Sequence, residues 1–143
     1  MKIRIKNIIC LLIPATVLII LFSCTTLTKR EKSFTPDQYW LDGTWVGTGY
    51  QFDPLDNWLV RLTVNNAQKQ FMIEYPSLEC GGSWHPVDFG SDRIVFIEKI
   101  DYGKEQCVDG GTIVITKIDS SAIVFSYFLP NNQPGAMARL EKK

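Results

Sequence analysis

The segment WLVRLTVN, residues 58–65, alternates in side-chain character, and this alternation decides the fold. Successive side chains of a β-strand point to opposite faces, so every second residue of the segment shares one face. The face that we predict to be buried consists of Trp58, Val60, Leu62 and Val64. The segment is therefore interpreted as a strand with one side in a core and the other in solvent.

Similar short runs recur along the chain on both sides of this segment, and turn-forming residues separate them. The predicted strands cover residues 43–51, 58–65, 69–75, 79–87, 92–100, 111–118, 121–129 and 136–142. Strands that follow one another through short turns favour sequential antiparallel hairpins, and closure into a barrel removes the exposed sheet edges. We therefore predict an all-β domain that forms an eight-stranded up-and-down antiparallel barrel.

The strand predicted at residues 92–100 contains an acid on its inward face. Alternation in the strand at 69–75 places Phe71, Ile73 and Tyr75 inside the barrel. In the strand at 92–100 it places Ile94, Phe96 and Ile100 inside, and Glu98 falls on the same face. A buried carboxylate without partners costs several kcal/mol, so it must be paired, hydrogen-bonded or protonated. Two interpretations remain open: Glu98 lies at the floor of a ligand pocket, or it pairs with an Arg or Tyr that stabilises the barrel. We favour the second.

The two ends of the domain carry a short signature. Gly43-Thr44-Trp45 at the first strand and Arg139 in the last strand resemble the signature of the lipocalin, fatty-acid-binding and avidin superfamily. The resemblance implies that the Trp45 indole plugs the closed end of the barrel and that the Arg139 cation stacks on it. The alternative is that Trp45 is an ordinary core aromatic and Arg139 a solvated cation.

The N-terminus predicts export. Three basic residues precede an apolar run from Ile8 to Phe22, which as a helix of roughly 22 Å is too short to span a membrane of roughly 30 Å. The run indicates a signal peptide. It ends in Leu21-Phe22-Ser23-Cys24, which resembles the bacterial lipobox. The resemblance implies cleavage before Cys24, lipidation of Cys24 and a stable lipid anchor in the cell envelope. The resemblance also implies the outer membrane, if the host has one, because Thr25 and not Asp follows the cysteine.

The chain is accordingly divided into a signal peptide at residues 1–23, a lipidated N-terminus with a polar tether at 24–40, and the barrel domain at 41–143. Near the end of the tether, packing of Tyr39 and Trp40 on the domain is an open alternative. The sequence has no net charge, and removal of the basic signal peptide leaves the mature chain mildly acidic. No basic patch indicates nucleic-acid binding, so we expect membrane attachment through lipid alone.

A second resemblance concerns the middle of the domain. YPSLECGGSW at 75–84, FIEKI at 96–100 and CVDGG at 107–111 resemble a small β domain of bacterial lipoproteins and of some actinobacterial receptor kinases. The resemblance supports the fold and a disulfide. Cys80 and Cys107 are the cysteines of the mature domain besides Cys24, and exported compartments are oxidising. We expect them to form a structural disulfide. A redox or metal-binding pair is the alternative, although C-x-x-C spacing is missing.

The sequence contains no motif for catalysis, phosphate binding or zinc hydrolysis, and a single histidine, His85, cannot complete a metal site. We therefore expect a binding protein without cofactor or metal. Because the inward residues are bulky, we favour a packed interior and a protein partner, in an inhibitor or immunity-type role. The candidate binding residues are Tyr50, Phe52, Trp84, Tyr102 and Glu98. The alternatives are a small-molecule carrier or sensor with a pocket inside the barrel, and a structural envelope lipoprotein.

Overall fold

The computed structural model describes residues 36–143, so the signal peptide and Cys24 lie outside the described residues. A 3-10 helix, Pro36–Leu41, precedes eight strands. Their bounds are β1 Gly43–Gln51, β2 Asp56–Asn65, β3 Gln70–Tyr75, β4 Cys80–Phe89, β5 Arg93–Tyr102, β6 Thr112–Lys117, β7 Ala122–Phe128 and β8 Pro134–Lys142. Short 3-10 helices at Asn66–Gln68 and Pro76–Leu78 connect β2 to β3 and β3 to β4. No helix within this described part is long and apolar enough to cross a membrane.

The strands form a closed barrel. Each strand pairs antiparallel with the next, and β8 returns to pair with β1. The prediction of an eight-stranded up-and-down barrel is confirmed, and each strand begins and ends within two residues of its predicted bounds. The agreement follows from the strict alternation of the sequence, which appears in β2 as regularly alternating exposed and buried residues.

The interior is filled from several strands. Phe71 and Phe96 contact each other with ring centroids 5.2 Å apart, and Trp84 stacks on Phe125 at 5.8 Å. Aromatic pairs at these separations add about 0.5–1.5 kcal/mol to the free energy of burial. These rings form the middle of the core, between a closed end at the start of β1 and an open end at the end of β1.

The closed end is plugged by Trp45, which is completely buried and whose Nε1 donates a hydrogen bond to the Leu41 carbonyl oxygen at 2.8 Å. The cation over its ring is Lys142, with Nζ 5.1 Å from the ring centroid. The expectation that Arg139 stacks there is wrong. Arg139 points out of the barrel, because both its neighbours in β8 point inward, and it pairs with Glu141 at 3.7 Å.

Gly43 has a structural reason to precede this tryptophan. Its φ is +116°, a backbone conformation that residues with a side chain rarely adopt. A Cβ at this position would also lie 2.9 Å from Cε of Lys142. The missing side chain therefore leaves room for the lysine that covers Trp45.

The folded domain begins before residue 41. Trp40 in the N-terminal 3-10 helix packs against the core, and Lys117 lies over its ring with Nζ at 5.8 Å from the centroid. The neighbouring Leu41 is completely buried. The alternative that the end of the tether packs on the domain is therefore the correct one for Trp40.

Cys80 and Cys107 form a disulfide, as predicted. It joins the first residue of β4 to the loop between β5 and β6, and 27 positions separate the two cysteines in sequence. Cys80 is completely buried and Cys107 is partly exposed. The bond therefore attaches a long surface loop to the core at the open end of the barrel.

Candidate functional site: a cavity with a buried carboxyl group

A cavity of about 270 Å³ occupies the open end of the barrel. Its walls come from the end of β1, the start of β2, the end of β3, the middle of β5 and β7, the start of β8 and the β5–β6 loop. Four aromatic side chains line it: Trp58, Tyr75, Phe125 and Tyr127. The polar lining includes Glu98, Asp53, Gln51, Gln106 and Gln133. The expectation of a fully packed interior is therefore wrong for this end.

Small residues lie at inward positions of β1 and β8, the strands that pair to close the barrel. Gly49 of β1 is paired with Ala138 of β8, and both are buried. Ala136, one inward position closer to the open end, lines the cavity. The Trp58 ring packs over Gly49, where a Cβ would lie 3.0 Å from Cε2 of that ring. From the sequence we considered the large inward residues but not these small ones.

Glu98 lies at the inner side of the cavity and is 3% exposed. The Tyr75 hydroxyl donates a hydrogen bond to its Oε1 at 2.6 Å, and Nε1 of Trp84 donates to the same oxygen at 3.0 Å. Trp84 and Glu98 are paired across β4 and β5, so both side chains point inward. Glu98 is therefore hydrogen-bonded to a tyrosine, the interpretation that we favoured, and it also lines a cavity.

Burial is the main cause that raises the pKa of Glu98, and the hydrogen bonds from Tyr75 and Trp84 partly oppose it. The nearby charge of Asp109 also raises the pKa of Glu98. Burial, and then the Glu98 charge, raises the pKa of both Tyr75 and Tyr127 above that of a free tyrosine. The two hydroxyl groups therefore remain protonated, and the carboxyl group is the one that can change its charge.

The β5–β6 loop is fastened to the backbone of Glu98. The Glu98 N–H donates to the Gly111 carbonyl at 2.9 Å, and the Gly110 N–H donates to the Glu98 carbonyl at 3.2 Å. Asp109 accepts a hydrogen bond from the Ile100 N–H at 2.8 Å, which lowers its pKa. Together with the disulfide at Cys107, these bonds hold the loop as one wall of the cavity.

Tyr127 lies against this loop. Its hydroxyl donates to the Val108 carbonyl at 3.3 Å. A Cβ on Gly135 would lie 2.7 Å from Cδ1 of its ring, and one on Gly111 would overlap the same ring. The absence of side chains at Gly111 and Gly135 therefore leaves room for the Tyr127 ring in the cavity wall.

The predicted binding residues separate into two groups. Trp84 is 2% exposed and belongs to the core beside Glu98, so its assignment to the exposed surface is wrong. Its pairing with the inward-facing Glu98 is the reason. Tyr50, Phe52 and Tyr102 are exposed, and all three lie near the open end, at the ends of β1 and β5 or in the β1–β2 connection.

Several residues of the cavity were predicted as core or not singled out. Trp58 and Tyr75 were assigned to the core by alternation, and Phe125, Tyr127 and Gln133 were not named. The one signal in the sequence was an acid between two inward apolar residues, at Glu98.

Residues 36–143 contain no group of three or more His, Cys, Asp or Glu side chains arranged to hold a metal ion. His85 is exposed. In comparisons with known proteins, no family model, no curated protein and no solved structure matches this chain.

Proposed function

We propose that the protein is an exported, lipid-anchored binding protein that holds a small ligand in the cavity at the open end of its barrel. One observation carries the proposal: a buried carboxyl group, Glu98, lines a cavity of about 270 Å³ among four aromatic rings. Ligand pockets combine an apolar lining with few polar groups in this way. Cavities for drug-sized ligands begin at about 300 Å³, and one of about 150 Å³ holds benzene. The volume therefore suits a molecule of one ring or a short chain.

The lipid anchor is the second part of the proposal, and it rests on the sequence. The resemblance of residues 21–24 to the bacterial lipobox supports lipidation of Cys24, and the outer membrane is the favoured location. The described chain joins the barrel at its closed end, where Leu41 contacts Trp45. A tether from Cys24 would therefore attach to the end of the barrel opposite the cavity.

Labelling with radioactive palmitate tests the anchor. Wild-type protein expressed in its host should incorporate the label, and Cys24→Ala should not. The matched control is Cys80→Ala, which removes a different cysteine and should leave the labelling unchanged. Equal labelling of the wild type and Cys24→Ala would contradict the proposal.

A protein partner at the rim is the second candidate, in the inhibitor or immunity-type role expected from the sequence. Three exposed aromatic residues near the open end favour it: Tyr50, Phe52 and Tyr102. Aromatic residues are enriched among the anchors of protein interfaces. The cavity nevertheless makes the small ligand the first choice, because the partner hypothesis assumed a packed interior.

Native mass spectrometry distinguishes the candidates. Full-length protein is extracted from the envelope of its host in mild detergent and analysed without denaturation. A bound mass of a few hundred daltons that is lost on unfolding supports the small ligand. A bound protein, lost when Tyr50 and Phe52 are changed to Ser, supports the rim. Protein without either would leave a structural envelope lipoprotein as the better description.

A further inference from the structure

We propose that the ligand is a small organic cation, an amine whose ammonium N–H donates to Oε2 of Glu98 while its apolar body contacts the aromatic rings of the cavity. This inference rests on the proposed function and adds the chemical class of the ligand. Three features of the cavity support it: the charge of its lining, its aromatic walls, and the hydrogen bonds of Glu98.

The lining carries acids and no bases. Glu98 and Asp53 are its ionisable carboxyl groups, and no Lys, Arg or His is among the residues that line the cavity. A carboxylate or phosphate ligand would meet like charge without a compensating cation, which opposes its binding. A cationic ligand meets opposite charge at both acids, so the lining selects for positive charge.

Within residues 36–143, no basic side chain forms an ion pair with the buried acid Glu98. A buried carboxylate is strongly stabilised by an opposite charge nearby. A bound ammonium group would supply that charge, and it has only donors, which match the acceptor-only oxygens of an ionised carboxylate.

The hydrogen bonds to Glu98 leave one oxygen for the ligand. Tyr75 and Trp84 both donate to Oε1, and neither of these bonds uses Oε2. The two donors come from different strands and fix the orientation of the carboxyl group. A ligand N–H that reaches Oε2 therefore meets an acceptor that is already positioned.

Aromatic rings surround the remaining space. Trp58 and Tyr75 meet edge to face, with centroids 6.5 Å apart and planes at 76°. Tyr127 and Phe125 add two further rings to the lining. Cations are attracted to ring faces, most strongly to that of tryptophan and especially away from water. An ammonium ligand with an apolar body would therefore contact aromatic rings and a carboxyl group on the same lining.

Three single-ring compounds of similar size test the inference: benzylamine, benzyl alcohol and benzoate. Isothermal titration calorimetry is performed on the full-length protein in one non-ionic detergent at neutral pH. Benzylamine should bind at least about tenfold more tightly than benzyl alcohol, as expected for a hydrogen bond that gains a charge. Benzoate should bind most weakly.

Two variants identify the group responsible. Glu98→Gln keeps the shape of the side chain and an acceptor for Tyr75 and Trp84, so the protein should still bind benzyl alcohol. Benzylamine should no longer bind more tightly than benzyl alcohol. Glu105→Gln removes an exposed acid that does not line the cavity, from the same loop region, and should behave as the wild type. An unchanged advantage of benzylamine in Glu98→Gln would overturn the inference.

The pH dependence gives a further readout. Groups that face Glu98 are Tyr75 from β3, Tyr127 from β7 and Asp109 from the β5–β6 loop, with Asp53 also on the cavity lining. The pKa of each tyrosine is raised and that of Asp109 is lowered. These three groups therefore keep their charge in the pH range in which Glu98 titrates. Benzylamine should bind more weakly as the pH falls, and this loss should be much smaller in Glu98→Gln.

The outcomes separate the inference from the proposed function. If all three compounds bind with equal affinity, or benzoate binds most tightly, the cavity is a ligand site but not one for cations. If none of the three binds, the proposal of a single-ring ligand in the cavity fails, and the cation inference fails with it.

Discussion

Reduction of the Cys80–Cys107 disulfide is expected to destabilise the barrel by about 3.5 kcal/mol. The bond closes a loop whose ends are 27 positions apart in sequence. On the chain-entropy description, a cross-link of this span removes about 12 cal/mol/K of entropy from the unfolded chain, which corresponds to that free energy at 25 °C. The bond joins the start of β4 to a loop and is not part of the strand pairing, so reduction is expected to lower stability without abolishing the fold.

Equilibrium unfolding in urea, followed by tryptophan fluorescence, measures the effect. The full-length protein is reduced while unfolded, because Cys80 is completely buried, and is refolded with or without reductant. With a urea dependence of about 1–3 kcal/mol/M, the midpoint of the reduced protein should fall by roughly 1–3.5 M. The control is Cys80→Ala with Cys107→Ala, whose midpoint should not respond to reductant.

The same experiment has a consequence for the cavity. Gln106, Cys107 and Val108 line it and belong to the loop that the disulfide holds. In the absence of urea, where the barrel remains folded, reduction should therefore weaken ligand binding. Coincident midpoints for the oxidised and reduced wild type would refute the stabilising role. A lower midpoint with unchanged ligand affinity would instead refute the positioning of the loop.

Two further predictions concern the ionisable core and the closed end. Folding raises the pKa of Glu98, so its contribution to stability is present below the unfolded value of 4.5 and is lost as the pH rises through the folded pKa. In urea unfolding between about pH 4 and pH 8, Glu98→Gln should become more stable relative to the wild type as the pH rises; a constant difference would contradict this sign. At the closed end, Trp45→Ala should lower the free energy of unfolding by about 3–5 kcal/mol, since it empties a fully buried site. Lys142→Ala should cost about 0.5–1 kcal/mol through loss of the cation over the ring, whereas Arg139→Ala should cost less; the reverse order in urea unfolding would refute the assignment of the cation.

Some features of the site depend on pairs of residues far apart in sequence. Tyr75 and Trp84 lie 23 and 14 positions from Glu98, and they meet it only because β3, β4 and β5 are neighbours in the closed sheet. Sequence analysis placed Glu98 and Tyr75 inside the barrel but could not pair them, since alternation assigns a face and not a contact. Trp84 was predicted as a candidate binding residue, and its pairing with Glu98 across β4 and β5 shows that it faces inward.

The sequence by itself determined the strands, their inward faces and the disulfide pair. These features follow from a local rule of alternation and from the small number of cysteines. Only the tertiary structure decided which cation covers Trp45, and that Gly49, Ala136 and Ala138 come together as a wall of small residues beside larger ones. The cavity is lined by residues of β1, β2, β3, β5, β7 and β8 and of the β5–β6 loop, which come together only when the barrel closes.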